Sequence, residues 1–236
     1  MTNYKANLST LRELVDNPTP RVPVAICADV SGSMYGGPIA ELETGLRQYR
    51  DEMLADELTR FSAETALITF ANTADCVSDF CTPDGMQLPS LDADGGTDMG
   101  AGLTLALDRL EARKAQYRSG GVDYYQPILV VMTDGQPNGD PRVLAAAIDR
   151  VRALAGSRKL TVIAVGLGDD ADLTMLQKLC VKGHPVRMDR LHFRELFAWL
   201  SRSVSAVSAS TPGTEQPLDL SVLDELASEP WSEAAL

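Results

Sequence analysis

Histidine, cysteine and long apolar runs are what this sequence has least of. Its 236 residues include 2 histidines, His184 and His192, so a zinc site or a histidine-centred catalytic triad has little to be built from. The four cysteines, Cys27, Cys76, Cys81 and Cys180, form no C-x-x-C pair, and the expectation for each is a free, buried, inert thiol. No segment reaches the roughly 18 consecutive apolar residues of a membrane-spanning helix. The opening Met-Thr-Asn-Tyr-Lys-Ala-Asn-Leu also lacks the basic start and apolar stretch of a secretory leader. These absences predict a cytoplasmic protein. Basic charge is scarce too: 21 Lys and Arg face 33 Asp and Glu, a net charge of -12. Such a chain repels phosphate backbones and anionic lipid, which argues against nucleic acid or a membrane as partner.

The acidity is uneven. Glu215, Asp219, Asp224, Glu225, Glu229 and Glu233 all follow Thr211, beyond which there is no Lys or Arg. Without them the chain is only mildly acidic. The composition divides it into an extension at 1–21, one domain at 22–208, and a Pro- and Ser-bearing linker with an acidic, apolar tail at 209–236. In the extension, Leu8, Leu11, Leu14 and Val15 suit a short docked helix. In the tail, Leu218, Leu220, Val222, Leu223, Leu226 and Trp231 are more large apolar groups than a free segment needs, which predicts docking.

Residues 22–28 and 128–132 are unbroken apolar runs, the signature of parallel strands buried on both faces, and each ends at a carboxylate, Asp29 and Asp134. Shorter strands are expected at 66–70, 160–165 and 186–188, with an antiparallel edge strand at 76–81 reached through the Asn72-Thr73 turn. Helical periodicity appears from Ile39 to Leu54, onward from Thr97 through Leu110, and over 141–154, 173–180 and 193–207. Strand alternating with helix predicts an α/β fold: a doubly wound, mainly parallel sheet of about six strands with one antiparallel edge strand, flanked by helices. In such sheets ligands bind beyond the carboxyl ends of the strands, where Asp29 and Asp134 stand.

Asp29-Val30-Ser31-Gly32-Ser33 sets three oxygen side chains at alternate positions, and Gly32 is expected to let that loop close tightly. Gly95-Gly96-Thr97 adds a hydroxyl at a helix entrance, and Thr133-Asp134-Gly135 a second carboxylate. Oxygen ligands of this kind suit a hard cation such as Mg²⁺, which takes near-octahedral oxygen at about 2.0 to 2.1 Å. Asp98, beside Thr97, is expected to cap its helix. Tyr117, Tyr124 and Tyr125 are read as loop residues at the opposite pole, packing back on the domain. Gly166-x-Gly168-Asp169-Asp170 is read as a turn.

These three segments resemble the metal-ion-dependent adhesion site of von Willebrand factor A (vWA) domains, whose D-x-S-x-S, T and D elements occur in this order. The resemblance covers residues 22–207. It implies a Rossmann-like fold and a metal site in which Ser31, Ser33 and Thr97 offer hydroxyls and Asp29 and Asp134 bind directly or through water. Mg²⁺ is the implied cofactor, with Mn²⁺ or Ca²⁺ as alternatives, and an acidic side chain of another protein would complete the shell. Ser-Gly-Ser-Met-Tyr-Gly-Gly-Pro-Ile-Ala-Glu-Leu and Thr-Asp-Gly-Gln-Pro-Asn further resemble stand-alone bacterial vWA proteins associated with tellurium resistance, the TerY type. That likeness implies a stress-response setting with a protein kinase and a phosphatase as partners. A vWA subunit docking on an AAA-type ATPase fits the same residues. A haloacid-dehalogenase-like hydrolase fits less well, because such enzymes carry a second carboxylate where Ser31 stands. The expectation is therefore a binding module and not an enzyme.

Overall fold

The computed structural model describes Leu14, residues 17–211 and Leu218. The chain forms strands β1 (Val22–Asp29), β2 (Ala63–Phe70), β3 (Ala74–Cys81), β4 (Ile128–Thr133), β5 (Thr161–Leu167) and β6 (Val186–Met188). The helices are α1 (Gly37–Ala55), α2 (Glu57–Ser62), α3 (Met99–Gly120), α4 (Pro141–Gly156), α5 (Leu173–Gln177) and α6 (Phe193–Ser208). The six strands run in the order β3-β2-β1-β4-β5-β6, all neighbours parallel except β2 with β3. This is the α/β fold that the alternating pattern predicts, with its antiparallel strand at the edge.

Every residue of β1, β2 and β4 is buried, as parallel strands covered on both faces require. Alternation then feeds two cores. Val22, Val24, Ile26 and Ala28 join the cluster covered by α1 and α6, whereas Ala25 and Cys27 join the one under α3, α4 and α5. The two helices of the first layer touch at Gly45. A Cβ there would lie 2.6 Å from the Phe197 ring and 3.0 Å from the carbonyl oxygen of Phe193. Only hydrogen fits, and the close approach brings Tyr49 against Phe197, the rings tilted by 46° with centroids 5.7 Å apart.

Beneath the other end of the sheet lies a buried ionic cluster. Glu64 on β2 is 2% exposed and receives Arg21 Nε at 2.9 Å, Arg113 Nε at 2.6 Å and the Tyr117 hydroxyl at 2.5 Å. Charges removed from water need this degree of pairing. The cluster corrects two expectations. Tyr117 lies within α3, fully buried, and is not a loop residue. And β2 begins at Ala63 instead of residue 66, because the polar Glu64 is accommodated by partners 43 to 53 positions away in sequence. Tyr125 does pack back, its hydroxyl donating to the carbonyl oxygen of Ser210 at 2.7 Å.

Helix α2 was not expected, although its cap is visible in the sequence: Asp56 accepts the Thr59 amide at 2.7 Å. Leu14 is helical and 1% exposed, packed with Tyr117 and Val122. Leu8, Leu11 and Val15 lie outside the described residues, as do the tail positions other than Leu218.

Candidate functional site

Two strands and three loops build the site. The strand order turns between β1 and β4, since β1 leads on to β2 on one side and β4 to β5 on the other. Asp29 closes β1 and Asp134 follows β4 directly, so the two carboxylates flank the switch point of the sheet. Both are buried, Asp29 at 1% exposure and Asp134 at 0%.

Each oxygen of Asp29 has a donor. The Ser31 amide donates to Oδ1 at 2.8 Å and the Thr133 hydroxyl to Oδ2 at 2.6 Å. Burial pushes the Asp29 carboxyl above its ordinary range, the Ser31 and Thr133 hydrogen bonds pull it back, and the negative charge of Asp134 raises it again. Two nearby carboxylates in a dry crevice repel, and a cation between such groups would relieve both desolvation and repulsion.

The hydroxyls continue the chain. Ser31 Oγ lies 3.1 Å from Ser33 Oγ, which donates to Asp134 Oδ1 at 2.6 Å. Thr97, 6% exposed, is held by Asn138: its amide donates to Asn138 Oδ1 at 2.8 Å and its carbonyl accepts the Asn138 amide at 3.1 Å. Its hydroxyl faces Gly135, on which a Cβ would stand 3.8 Å away. The five sequence-derived residues therefore converge, four of them through direct hydrogen bonds and Thr97 across Gly135.

The loop glycine that matters is Gly95. Gly32 keeps an ordinary backbone, and a Cβ on it would meet nothing nearer than 3.6 Å, so its presumed role in tightening the loop is not needed. Gly95 has φ 80°, a left-handed conformation, and its carbonyl accepts the Gly32 amide at 3.1 Å. Asn72 accepts the adjacent Gly96 amide at 2.8 Å. The first two loops are thereby tied together. Asp98 caps α3, accepting the Ala101 amide at 3.0 Å.

Sequence reasoning missed three residues. Thr133 fixes the second oxygen of Asp29, and Asn138 fixes Thr97; both sit within the Thr-Asp-Gly-Gln-Pro-Asn segment and were legible as its neighbours. Arg190 is the third. Its Nε stands 3.3 Å from Asp134 Oδ2, at ion-pair distance but outside hydrogen-bond geometry, and its other end lies 3.5 Å from Asp170. Nothing local in the sequence marks Arg190, which arrives from the loop after β6.

The donor set fits a hard cation. Asp134 Oδ2 is fully buried and has no hydrogen-bond partner; the one positive charge set against it is the partly exposed Arg190, at 3.3 Å and out of hydrogen-bond geometry, so a cation would give this oxygen a bond that it lacks. Among the described residues no three of His, Cys, Asp and Glu group as a metal site, so a softer, histidine- or thiolate-based centre has no basis there. The cysteines are all free, and burial raises the pKa of each, which keeps them as thiols. Cys76 and Cys81 are only half-buried.

A doubly wound parallel sheet with hydroxyl and carboxylate loops at its switch point is the architecture of a Rossmann-like interaction domain. The family can be stated directly: a von Willebrand factor type A domain model matches residues 24–195, and the chain belongs to that family. Members are generally metal-dependent protein-interaction modules. The human inter-alpha-trypsin inhibitor heavy chain H6 is 23% identical over 166 residues, 69% of this chain and 13% of its own length. A von Willebrand factor type A protein from Catenulispora acidiphila superposes with a TM-score of 0.57 at 21% identity, covering 79% of this chain and 43% of that one. Proximal thread matrix protein 1 from the mussel byssus, solved with a zinc-occupied MIDAS motif, gives a TM-score of 0.57 at 19% identity over 79% and 48% of the two chains. The chain thus spans a small part of the human relative and under half of these two solved chains. Among the described residues no helix is long and apolar enough to cross a membrane.

Proposed function

We propose that this protein is a divalent-cation-dependent protein-binding module whose metal is held by Asp29, Ser31, Ser33, Thr97 and Asp134. The observation that carries the reading is the buried Asp134 Oδ2, which accepts no hydrogen bond and has only the partly exposed Arg190 near it, beside a chain of hydroxyls that ends on the same carboxylate. The preferred ion is Mg²⁺, which accepts few carboxylates and retains water; Mn²⁺ is expected to substitute. When bound, the cation supplies a Lewis-acidic position for an acidic side chain of the partner. The protein's own contribution is orientation: Thr133 and the Ser31 amide fix Asp29, Ser33 fixes Asp134, and Asn138 fixes Thr97.

A hydrolase of the haloacid dehalogenase kind is disfavoured by the same contacts. Its nucleophile must be presented to a phosphoryl group, whereas Asp29 is 1% exposed with both oxygens engaged, and Ser31 stands where such an enzyme keeps its acid. The tellurium-resistance or stress-response setting, with a protein kinase and a phosphatase as partners, is proposed on the resemblance of the loop segments to that bacterial group. Docking on an AAA-type ATPase would use the same metal face.

The test is capture of protein partners from the native cell on the immobilised protein, in Mg²⁺ and in EDTA, alongside Asp134→Ala. Partners retained only by the wild type in Mg²⁺ are expected. Capture indifferent to both EDTA and the substitution would overturn the reading. A generic phosphate ester should show no turnover; turnover lost in Asp29→Asn would favour the hydrolase instead.

A further inference from the structure

Arg190 comes to the metal loops from the segment after β6, and that segment is tied to the loop after β5. The Gly168 amide donates to the carbonyl oxygen of Met188 at 2.6 Å, and the Arg187 guanidinium donates to the carbonyl oxygens of Gly168 at 2.8 Å and Asp169 at 2.7 Å. The Arg190 side chain crosses this pair of loops at Gly168, where a Cβ would stand 2.9 Å from its Nε and displace it; φ 78° makes the same position left-handed. Gly168 thus leaves the path of the stem open, and the guanidinium stands between two unlike carboxylates. Asp134 is 0% exposed, and its Oδ2 lies 3.3 Å from an Arg190 Nε that is itself shielded from water; neither atom has a hydrogen-bond partner. Asp170 is 88% exposed and lies 3.5 Å from Nη2. Neither contact reaches the about 2.7 to 2.9 Å of a guanidinium–carboxylate hydrogen bond, so Arg190 gives Asp134 a charge without a bond.

We propose that Arg190 is the resident counter-ion of the empty metal site: it neutralises Asp134 while no metal is bound, and the incoming cation displaces it toward the exposed Asp170. The inference rests on the metal reading of Asp134 and adds a built-in competitor to it. A buried carboxylate needs an opposing charge, which explains why a guanidinium is held against Asp134 in so poor a geometry. A divalent cation on the same oxygen supplies charge and bond together, and it repels the guanidinium beside it. The displaced head has somewhere to go: a cleft of about 690 Å³ opens next to it, bounded by Gly168, Asp170, Arg187, Arg190 and Leu191. Metal affinity is then set by an exchange, and the apparent dissociation constant rises in inverse proportion to the fraction of molecules in which Arg190 has left Asp134. The filled site therefore shows an acidic partner the metal and a released guanidinium side by side, whereas the empty one withholds both.

The test uses the full chain, labelled with nitrogen-15, in EDTA and in saturating Mg²⁺. The Arg190 Nε–H signal, assigned by its absence in Arg190→Gln, should exchange slowly with water in EDTA and at the rate of an exposed arginine in Mg²⁺. Calorimetry should find Mg²⁺ bound about three- to tenfold tighter by Arg190→Gln, the scale of a partly screened pair. Arg190→Lys should stay close to the wild type, because the contact is neither bidentate nor stacked and the charge alone matters. The thermal midpoint of Arg190→Gln should fall below that of the wild type in EDTA, where Asp134 is left unopposed, and the deficit should close in Mg²⁺. A slowly exchanging Nε–H that persists in saturating Mg²⁺ overturns the displacement. So does unchanged or weaker Mg²⁺ binding by Arg190→Gln, or a midpoint deficit equal in both conditions, the mark of a structural role alone. Absence of Mg²⁺ binding by both wild type and Arg190→Gln is a different failure, which removes the metal reading itself and the exchange with it; binding by Arg190→Gln alone would support the exchange.

Discussion

Arg190 exemplifies what single residues decide at this site. Its guanidinium stands 3.3 Å from Asp134 Oδ2, on the oxygen that has no hydrogen bond. A fixed positive charge there repels an incoming cation and competes for the same carboxylate, though its 30% exposure weakens the effect through solvent screening. Arg190→Ala is therefore expected to tighten Mg²⁺ binding by roughly three- to tenfold, on the scale of a partly screened pair. Calorimetric titration reads it; weaker binding in the variant would mean that Arg190 supports the site instead of competing. Thiol chemistry gives a second residue-scale expectation. Cys27 and Cys180 are buried and Cys76 and Cys81 half-buried, and burial raises the pKa of all four. Because the thiolate is the reactive form, a thiol-specific reagent should label the native protein slowly and only at Cys76 and Cys81. Fast stoichiometric labelling of Cys27 would contradict the burial.

Between elements, the contacts most exposed to test are the helix pair and the buried ions. Gly45→Ala would push a methyl group to 2.6 Å from the Phe197 ring and 3.0 Å from a backbone oxygen. Overpacking of this kind costs about 1–3 kcal/mol, to be read from a denaturant midpoint, and an unchanged midpoint would show that α6 can shift freely. Glu64→Ala would strand Arg21 and Arg113 in the interior, at about 3–5 kcal/mol by the same measurement. Both contacts also show where sequence reading stops. The long apolar runs of β1 and β4 announce buried strands and hence the doubly wound sheet. The first three residues of β2 do not, because Glu64 reads as solvated until its partners, Arg21 just before β1 and Arg113 and Tyr117 on α3, are in place. Tyr117 was misplaced for the same reason: a tyrosine near a Ser-Gly-Gly turn looks like a loop residue, but α3 runs on to Gly120, and Tyr117 is buried there by Leu14, Val122 and its bond to Glu64. At the metal loops, the oxygen-bearing residues were legible because their chemistry is carried by the side chains themselves. Thr133 and Asn138 lie beside them and act on their orientation, while Arg190 comes from a loop more than fifty positions away. Tertiary neighbours of that kind leave no local trace.

At the scale of the whole molecule the two ends of the sheet carry different chemistry. Its carboxyl ends gather the candidate oxygen ligands at the switch point, and its other end carries the buried ions around Glu64 and a basic cleft. Helices pack on both faces of the sheet, and the loops with the candidate ligands are preorganised by hydrogen bonds within the chain. A preorganised site should bind its cation without unfolding or refolding. The most direct measurement is calorimetric titration of Mg²⁺ into the wild type, Asp29→Ala and Asp134→Ala, with circular dichroism on each. The account predicts saturable binding of one ion by the wild type, no binding by either variant, and native spectra throughout. Equal Mg²⁺ binding by wild type and both variants would contradict it.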